Sequence, residues 1–362
     1  TGALIEHIQF PELDLHIHAP GKVVAVQYSP AVAVAVAEQL GYKNGTDLSG
    51  IINAVLRRYG FDLVMDSSFG ADLMIMEQAR IYEEHKASGQ DFPLITSSCP
   101  AWIHYAEQYY PELLPELSPL KSPQQVLGSL VREWFGSTKK HEGKELVSVL
   151  ISSCSAAKSE ARRVDMTRGG LPVIDLVLTT RELARMIKLS GLDLDRLEPE
   201  LPDAPFYSTG SAGKLSSVAG GEAEGTVRTI YARMTGNEIP PSKLHRFRIN
   251  KSYREMTVKA GKKEIRMGTV SGLSNAVALI EEIRSGKRKL DLLEIMACPD
   301  GCVNGGGQPV QANEKLVRTR TKAIYDMDNG SQVYTAHSCK HVQEIYGTLL
   351  KEPGEQSSQD MF

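Results

Sequence analysis

Five cysteines, at positions 99, 154, 298, 302 and 339, are the residues of this 362-residue chain best suited to hold a metal. Cys298 and Cys302 follow the apolar run Leu292, Leu293, Ile295, Met296 and precede Gly305, Gly306 and Gly307. That pattern reads as a strand delivering two thiols to a backbone-lined pocket, because only a residue without a Cβ lets the main chain approach a bulky inorganic group closely. Cys99 ends the run Leu94-Ile95-Thr96-Ser97-Ser98, and Cys154 ends Val149-Leu150-Ile151-Ser152-Ser153. Both runs are apolar and β-prone. Structural zinc sites favour close cysteine pairs, whereas cubane iron-sulfur clusters take four thiolates. Strands that finish in cysteine put thiols where open α/β sheets place their ligands. The bland alternative, unlinked core thiols, leaves three strand-end cysteines and an adjacent fourth as coincidence.

The elements that must position these thiols come next. β-Prone runs at 22–27, 61–66, 94–98, 146–151, 173–180, 270–275 and 292–297 alternate with helical stretches at 71–85, 181–189 and 276–285. Such alternation predicts an α/β fold of mostly parallel β-sheets flanked by helices. The length exceeds that of one usual compact domain, so two lobes are expected: 1–143, with the Cys99 motif, and 144–362, with the Cys154 and Cys298/Cys302 motifs. The charged, aperiodic stretch 136–145 suits the connection, 246–263 a peripheral hairpin, and 353–362 a frayed end. Gly210-Ser211-Ala212-Gly213-Lys214 resembles a phosphate loop, but Ser208 and Leu215 stand where such a loop needs Gly and Ser/Thr.

Composition excludes several classes. With 41% hydrophobic residues and a net charge of −3, the chain has a sizeable core and no electrostatic footprint for nucleic acid. It has no bilayer-length apolar run and no leader pattern, so no membrane association and a cytoplasmic location are expected. Few, uneven cysteines argue for thiolates in a reducing compartment over a disulfide framework. Cys339 is expected to be a spare thiol.

The three cysteine segments, in this order, resemble the signature motifs of the FeFe-hydrogenase catalytic domain. ADLMIMEQA at 71–79, SPQQ at 122–125, TTRELARMIK at 179–188 and GGGQP at 305–309 extend the resemblance over nearly the whole chain. It implies a metal cofactor at the cleft between the two lobes, an H-cluster. Its 4Fe-4S cluster would be held by Cys99, Cys154, Cys298 and Cys302. Cys302 would also bridge to a two-iron subcluster bearing CO, CN and azadithiolate ligands. Around that subcluster the family pattern places Ser29, Pro30, Ala31, Gln124, Ser153, Met296 and Ser216. The resemblance further implies H2 and protons as substrates, an electron-transfer partner (ferredoxin-like, or an upstream cluster domain) and hydrogenase maturation factors. An upstream relay or a downstream signalling domain would lie outside these residues.

Several positions depart from the family. The proton-carrying cysteine is Ser98, whose alkyl hydroxyl exchanges protons far less readily than a thiol of pKa about 8.5. Gln78 and Ile81 replace relay carboxylates, leaving Glu77 alongside, while Ser118 matches a relay hydroxyl. Ala157 replaces a cyanide-contacting lysine, and Lys158, one residue later, is the candidate substitute. Serines at 152 and 153 make the expected pocket more polar. These departures resemble the sensory subgroup, so a slow FeFe-hydrogenase that reports on hydrogen is the expectation. The alternative is a non-catalytic iron-sulfur assembly factor, of the kind that shares these motifs and lacks the two-iron subcluster.

Overall fold

The computed structural model describes residues 6–207, 209–248, 251–310, 313–351, 353–354 and 361–362. Among the described residues ten strands run in chain order: β1 (Lys22–Tyr28), β2 (Leu63–Asp66), β3 (Leu94–Ile95), β4 (Glu145–Ser152), β5 (Thr167–Arg168), β6 (Leu171–Pro172), β7 (Leu176–Thr179), β8 (Tyr253–Ala260), β9 (Lys263–Ser271) and β10 (Leu292–Met296). One sheet has the order β2-β1-β4-β7 and is parallel throughout. The other has the order β3-β10-β9-β8, parallel except for the β8-β9 hairpin, and β5-β6 form a small antiparallel pair. Helices flank both, as the α/β reading expects.

Each four-stranded sheet draws strands from both sides of residue 143: β1 pairs with β4, and β3 with β10. The expected boundary at 143/144 therefore coincides with no division between sheets, because the parallel crossovers interleave the two halves.

One local device recurs around the future site. Pro30, Pro100 and Pro123 each open a helix, and Ser29, Cys99 and Ser122 before them are extended. Proline disfavours the helical region for its predecessor and suits the first helical position. The chain therefore leaves extended backbone, presents one polar residue or thiol, and turns at once into a helix. The helix Pro30–Gln39 is buried at every position from 30 to 37, which is why it reads as alternating alanine and valine with no polar face.

Four expectations needed correction. β3 covers only two residues beside β10, and Thr96 to Ser98 leave the sheet. The hairpin expected at 246–263 comprises β8 and β9, and β9 is an interior strand, with Ile265, Met267 and Val270 buried. The expected strand 270–275 is the end of β9 followed by the helix Leu273–Arg284. Of the end expected to fray, residues 355–360 lie outside the described residues, whereas Met361 and Phe362 are buried, and the Phe362 carbonyl accepts from the Lys121 amide at 2.7 Å. Cys339 is 2% exposed, in the core with Phe69 and Leu73.

The glycine-rich segment at 210–214 is a helix start whose amides are already engaged. Asp72, fully buried, accepts from Gly210 and from Gly213 (2.8 Å), so an internal carboxylate occupies the place a phosphate would take; Ser208 lies outside the described residues.

Candidate metal centre

Cys99 stands at the N-cap of the helix Pro100–Tyr109, Cys154 two residues past β4, Cys298 two residues past β10, and Cys302 at the start of a short turn, Cys302–Asn304. All four line one cavity at the C-terminal strand ends of both sheets. The Ala297 amide lies 3.4 Å from Cys99 Sγ and donates to it, and the Cys154 amide donates to Ser152 Oγ at 3.0 Å. Burial pushes the Cys99 thiol up to about 11 and Cys154 to about 12, and it raises Cys298 and, most strongly, Cys302.

The loop from Cys298 to Cys302 is held in an uncommon backbone shape. Asp300 has φ 63° and Gly301 φ 86°. A Cβ at Gly301 would lie 2.5 Å from the Ala219 amide nitrogen, so glycine is required there both for its dihedral and for its room. Behind Cys302, Gln308 Nε2 donates to the carbonyls of Ala31 (3.0 Å) and Cys302 (3.2 Å). Arg320, fully buried, donates to the Val303 carbonyl at 2.8 Å and pairs with Glu38 at 2.8 and 2.6 Å.

The same cavity is lined by Ser29, Ser98, Gln124, Ser153, Ser216 and Met296, all named from the sequence. Ser67, Ser152 and Ser217 line it as well. The Ser217 hydroxyl is buried with no hydrogen-bond partner among the described residues. Gln124 is held twice: its backbone carbonyl accepts from the Gln27 side chain and its side-chain amide donates to Glu160, each at 2.9 Å.

Other expected site residues lie elsewhere. Pro30 and Ala31 are buried behind Ser29 rather than on the cavity wall, because the helix they open turns inward at once. Lys158 donates to Glu182 (2.8 Å) and to the His7 carbonyl (2.7 Å), outside the cavity lining. One residue along a helix rotates a side chain by about 100°, enough to carry it out of reach. Glu77 is locked by Arg80 (3.0 Å), the Tyr346 hydroxyl (3.1 Å) and the Gly354 amide (3.3 Å). Ser118 lines a second cavity with Ser97 and Glu160.

Sequence reasoning missed Glu222. The Ser98 hydroxyl donates to its carboxyl, which is fully buried, and burial together with the neighbouring Glu294 pushes it up to about 8. No local pattern signals this pairing, because the two residues are 124 positions apart.

A family profile described as "Iron only hydrogenase large subunit, C-terminal domain" matches residues 22–306. The chain is 35% identical over 369 residues to the NADP-reducing hydrogenase subunit HndD of Solidesulfovibrio fructosivorans, covering 100% of this chain and 63% of that one. It is 32% identical to iron hydrogenase 1 of Clostridium pasteurianum, over 98% of this chain and again 63% of the relative. The chain thus spans 63% of the length of both. A cytosolic Fe-S cluster assembly factor, narfl of Danio rerio, is 28% identical over 94% of this chain and 85% of its own. The solved structure of apo [FeFe]-hydrogenase HydA1 from Chlamydomonas reinhardtii, variant C377H, superposes with a TM-score of 0.86 at 31% identity, covering 98% of this chain and 97% of that one.

Proposed function

This chain belongs to the iron-only hydrogenase large-subunit family, and on that premise we propose that it is an FeFe-hydrogenase interconverting H2 with protons and electrons. The observation that carries the reading is the convergence of Cys99, Cys154, Cys298 and Cys302 on one cavity whose remaining wall is rich in hydroxyls.

These residues fit an H-cluster. Among the described residues no group of three or more His, Cys, Asp or Glu is placed to hold a single metal ion. A cubane needs a wider arrangement, with each thiolate on a different iron. Desolvation favours the protonated form of the four half-buried thiols, and a cationic cluster reverses that preference. The unpartnered Ser217 hydroxyl gives the wall a free donor for a polar ligand of the cofactor.

When bound, the cubane would pass electrons and the two-iron subcluster would bind and split hydrogen. Cys302 would bridge the two parts, its loop fixed by Gln308 and Arg320. Ser29, Gln124, Ser153 and Ser216 would orient the subcluster by hydrogen bonds, and Met296 would pack against it. Ser98 would carry protons at the cavity wall. Lys158, Glu77 and Ser118 have no part in this reading, because their side chains are engaged or placed elsewhere.

Turnover in this reading is slow, since a hydroxyl replaces a thiol in the proton path, and a slow site suits hydrogen sensing better than bulk flux. An electron-transfer partner, maturation factors and a cytoplasmic location belong to the same proposal. No described helix is long and apolar enough to cross a membrane. The likeness to the assembly factor supports a second reading, a chain that keeps the 4Fe-4S cluster and never takes the two-iron subcluster. Hydrogen-deuterium exchange after supplying that subcluster separates the two. The hydrogenase reading expects slow exchange, raised at least about tenfold by Ser98→Cys; no exchange in either protein favours the assembly reading.

A further inference from the structure

Ser98 hands its hydrogen bond to a carboxyl that no recognised motif contains. Glu222 stands in the first turn of the helix Gly221–Thr235, fully buried, and its Oε1 has no hydrogen-bond partner among the described residues. Nearby Glu294, also fully buried, accepts from the amides of Gly220 (2.6 Å) and Ala223 (2.8 Å) at the N-terminus of that helix. A carboxylate receiving backbone N–H groups at a helix N-terminus keeps its charge, and two neighbouring buried carboxyls do not both ionise. Burial raises both, Glu222 to about 8 and Glu294 to about 7, and the backbone N–H groups hold Glu294 the lower of the two, so Glu294 ionises first and Glu222 is the member that holds a proton.

From this pair a polar row crosses the second sheet to its edge. Glu294 on β10 is in register with Thr269 on β9, and Thr269 with Arg254 on β8. Both side chains face the same helix start, since a Cβ on Gly220 would lie 3.0 Å from Thr269 Cγ2 and 3.0 Å from Arg254 Nη2. Thr269 Oγ1 and Arg254 Nε are buried with no partner among the described residues. Arg254 in turn lines a small cleft with Lys251, Asp300 and Tyr325.

We propose that Glu222 is the proton carrier serving Ser98, and that the row Glu294, Thr269, Arg254 is its outlet to solvent. This rests on the reading that the two-iron subcluster occupies the Ser98 cavity. In the step itself Glu222 gives its proton to Ser98 Oγ while the Ser98 hydroxyl proton passes to the basic amine that the azadithiolate of a bound subcluster would supply, which becomes an ammonium. Ser98 ends as a neutral hydroxyl, Glu222 as a carboxylate, and no electron moves. The new charge beside Glu294 then draws a proton back through water held by Thr269 Oγ1 and Arg254 Nε, the guanidinium itself being fixed by the carbonyls of Phe247 and Ala219. Gln78 and Ile81 carry no carboxyl and cannot take this part.

The test is infrared spectroscopy on the full chain carrying its cubane, with and without the two-iron subcluster. Glu222→Gln preserves both shape and neutrality, so it should fold normally and lose a protonated-carboxyl C=O band that the wild type shows near neutral pH. In loaded protein, hydrogen-deuterium exchange should fall by about tenfold or more in Glu222→Gln. Thr269→Val should slow exchange several-fold with the carboxyl band intact. A band that persists in Glu222→Gln, or exchange there at the wild-type rate, overturns the carrier, and wild-type exchange in Thr269→Val overturns the outlet. If the wild type never shows metal-carbonyl and cyanide bands after loading, the cavity reading itself falls and the relay with it; a loaded wild type beside an unimpaired Glu222→Gln overturns the relay alone.

Discussion

The clamp behind Cys302 can be taken apart one charge at a time. Arg320 and Glu38 form a bidentate pair with side chains 1% and 9% exposed, and Arg320 alone also holds the Val303 carbonyl. Breaking a buried ion pair by removing one partner costs about 3–5 kcal/mol, because the survivor is left unpaired away from water. Glu38→Leu strands a guanidinium at 1% exposure and should fall at the upper end, near 5 kcal/mol. Arg320→Met leaves a carboxylate with more access to water and should cost about 3 kcal/mol. Replacing both by apolar residues removes the unpaired charge, so the double variant should lie within about 1 kcal/mol of wild type. Cluster retention should follow a different order. Val303 keeps its donor in Glu38→Leu and loses it in both variants that lack Arg320. Urea unfolding followed by circular dichroism gives the first quantity, and loss of cluster absorbance under a chelator gives the second. The double variant should be restored in stability and still release its cluster several times faster than wild type. Wild-type retention in the double variant, or a Glu38→Leu cost below that of Arg320→Met, refutes the clamp.

Other perturbations have equally definite outcomes. Alanine at Cys99, Cys154 or Cys298 should abolish most bound iron after anaerobic reconstitution, whereas Cys339→Ala should leave iron content unchanged and cost about 1–3 kcal/mol of stability as a small core truncation. Gly301→Ala should lower stability by at least about 1–2 kcal/mol for the left-handed backbone alone, with cluster loss in addition, measured by denaturation and iron content. Asp328 tests acid stability: burial would raise its carboxyl, but Arg228, Ser211 and Arg248 outweigh burial and hold it at about 2. A folded-state value below the unfolded one stabilises the protein above about pH 4, and the contribution fades as pH falls toward 2. Asp328→Asn should therefore lose on the order of 2 kcal/mol at neutral pH and flatten the acid limb of a pH-stability curve.

The convergence of the cysteines was legible in the sequence because a strand end is a local event. An apolar run followed by cysteine, or by a cysteine and proline, predicts both an element and its exit, and the exits before Cys154 and Cys298 lie where those runs placed them, whereas the strand before Cys99 already ends at Ile95. Ser29, Gln124, Ser153, Ser216 and Met296 reached the same cavity through the family pattern. Orientation one residue to either side was not legible: Lys158 is turned to Glu182, a partner on a different helix. Glu222 was hidden for a related reason. A buried carboxyl looks like any surface glutamate until the elements carrying Ser98, Gly220 and Glu294 are packed around it. The glycine-rich segment at 210–214 resembles a phosphate loop for the same reason, since the groups that engage it are distant, as with Ser211 bound to Asp328 and Gly210 to Asp72. The interior position of β9 depends on β10 and β3 lying beside it, which no window of local sequence contains.

The central claim is that four cysteines and the hydroxyl-lined cavity beside them hold an H-cluster. Infrared spectra of the reconstituted protein, recorded under inert gas and under hydrogen after the two-iron subcluster is supplied, test it most directly. The account predicts carbonyl and cyanide bands that appear on loading, shift under hydrogen, and are absent from a Cys302→Ala control. A protein that holds its 4Fe-4S cluster and shows no such bands would contradict it.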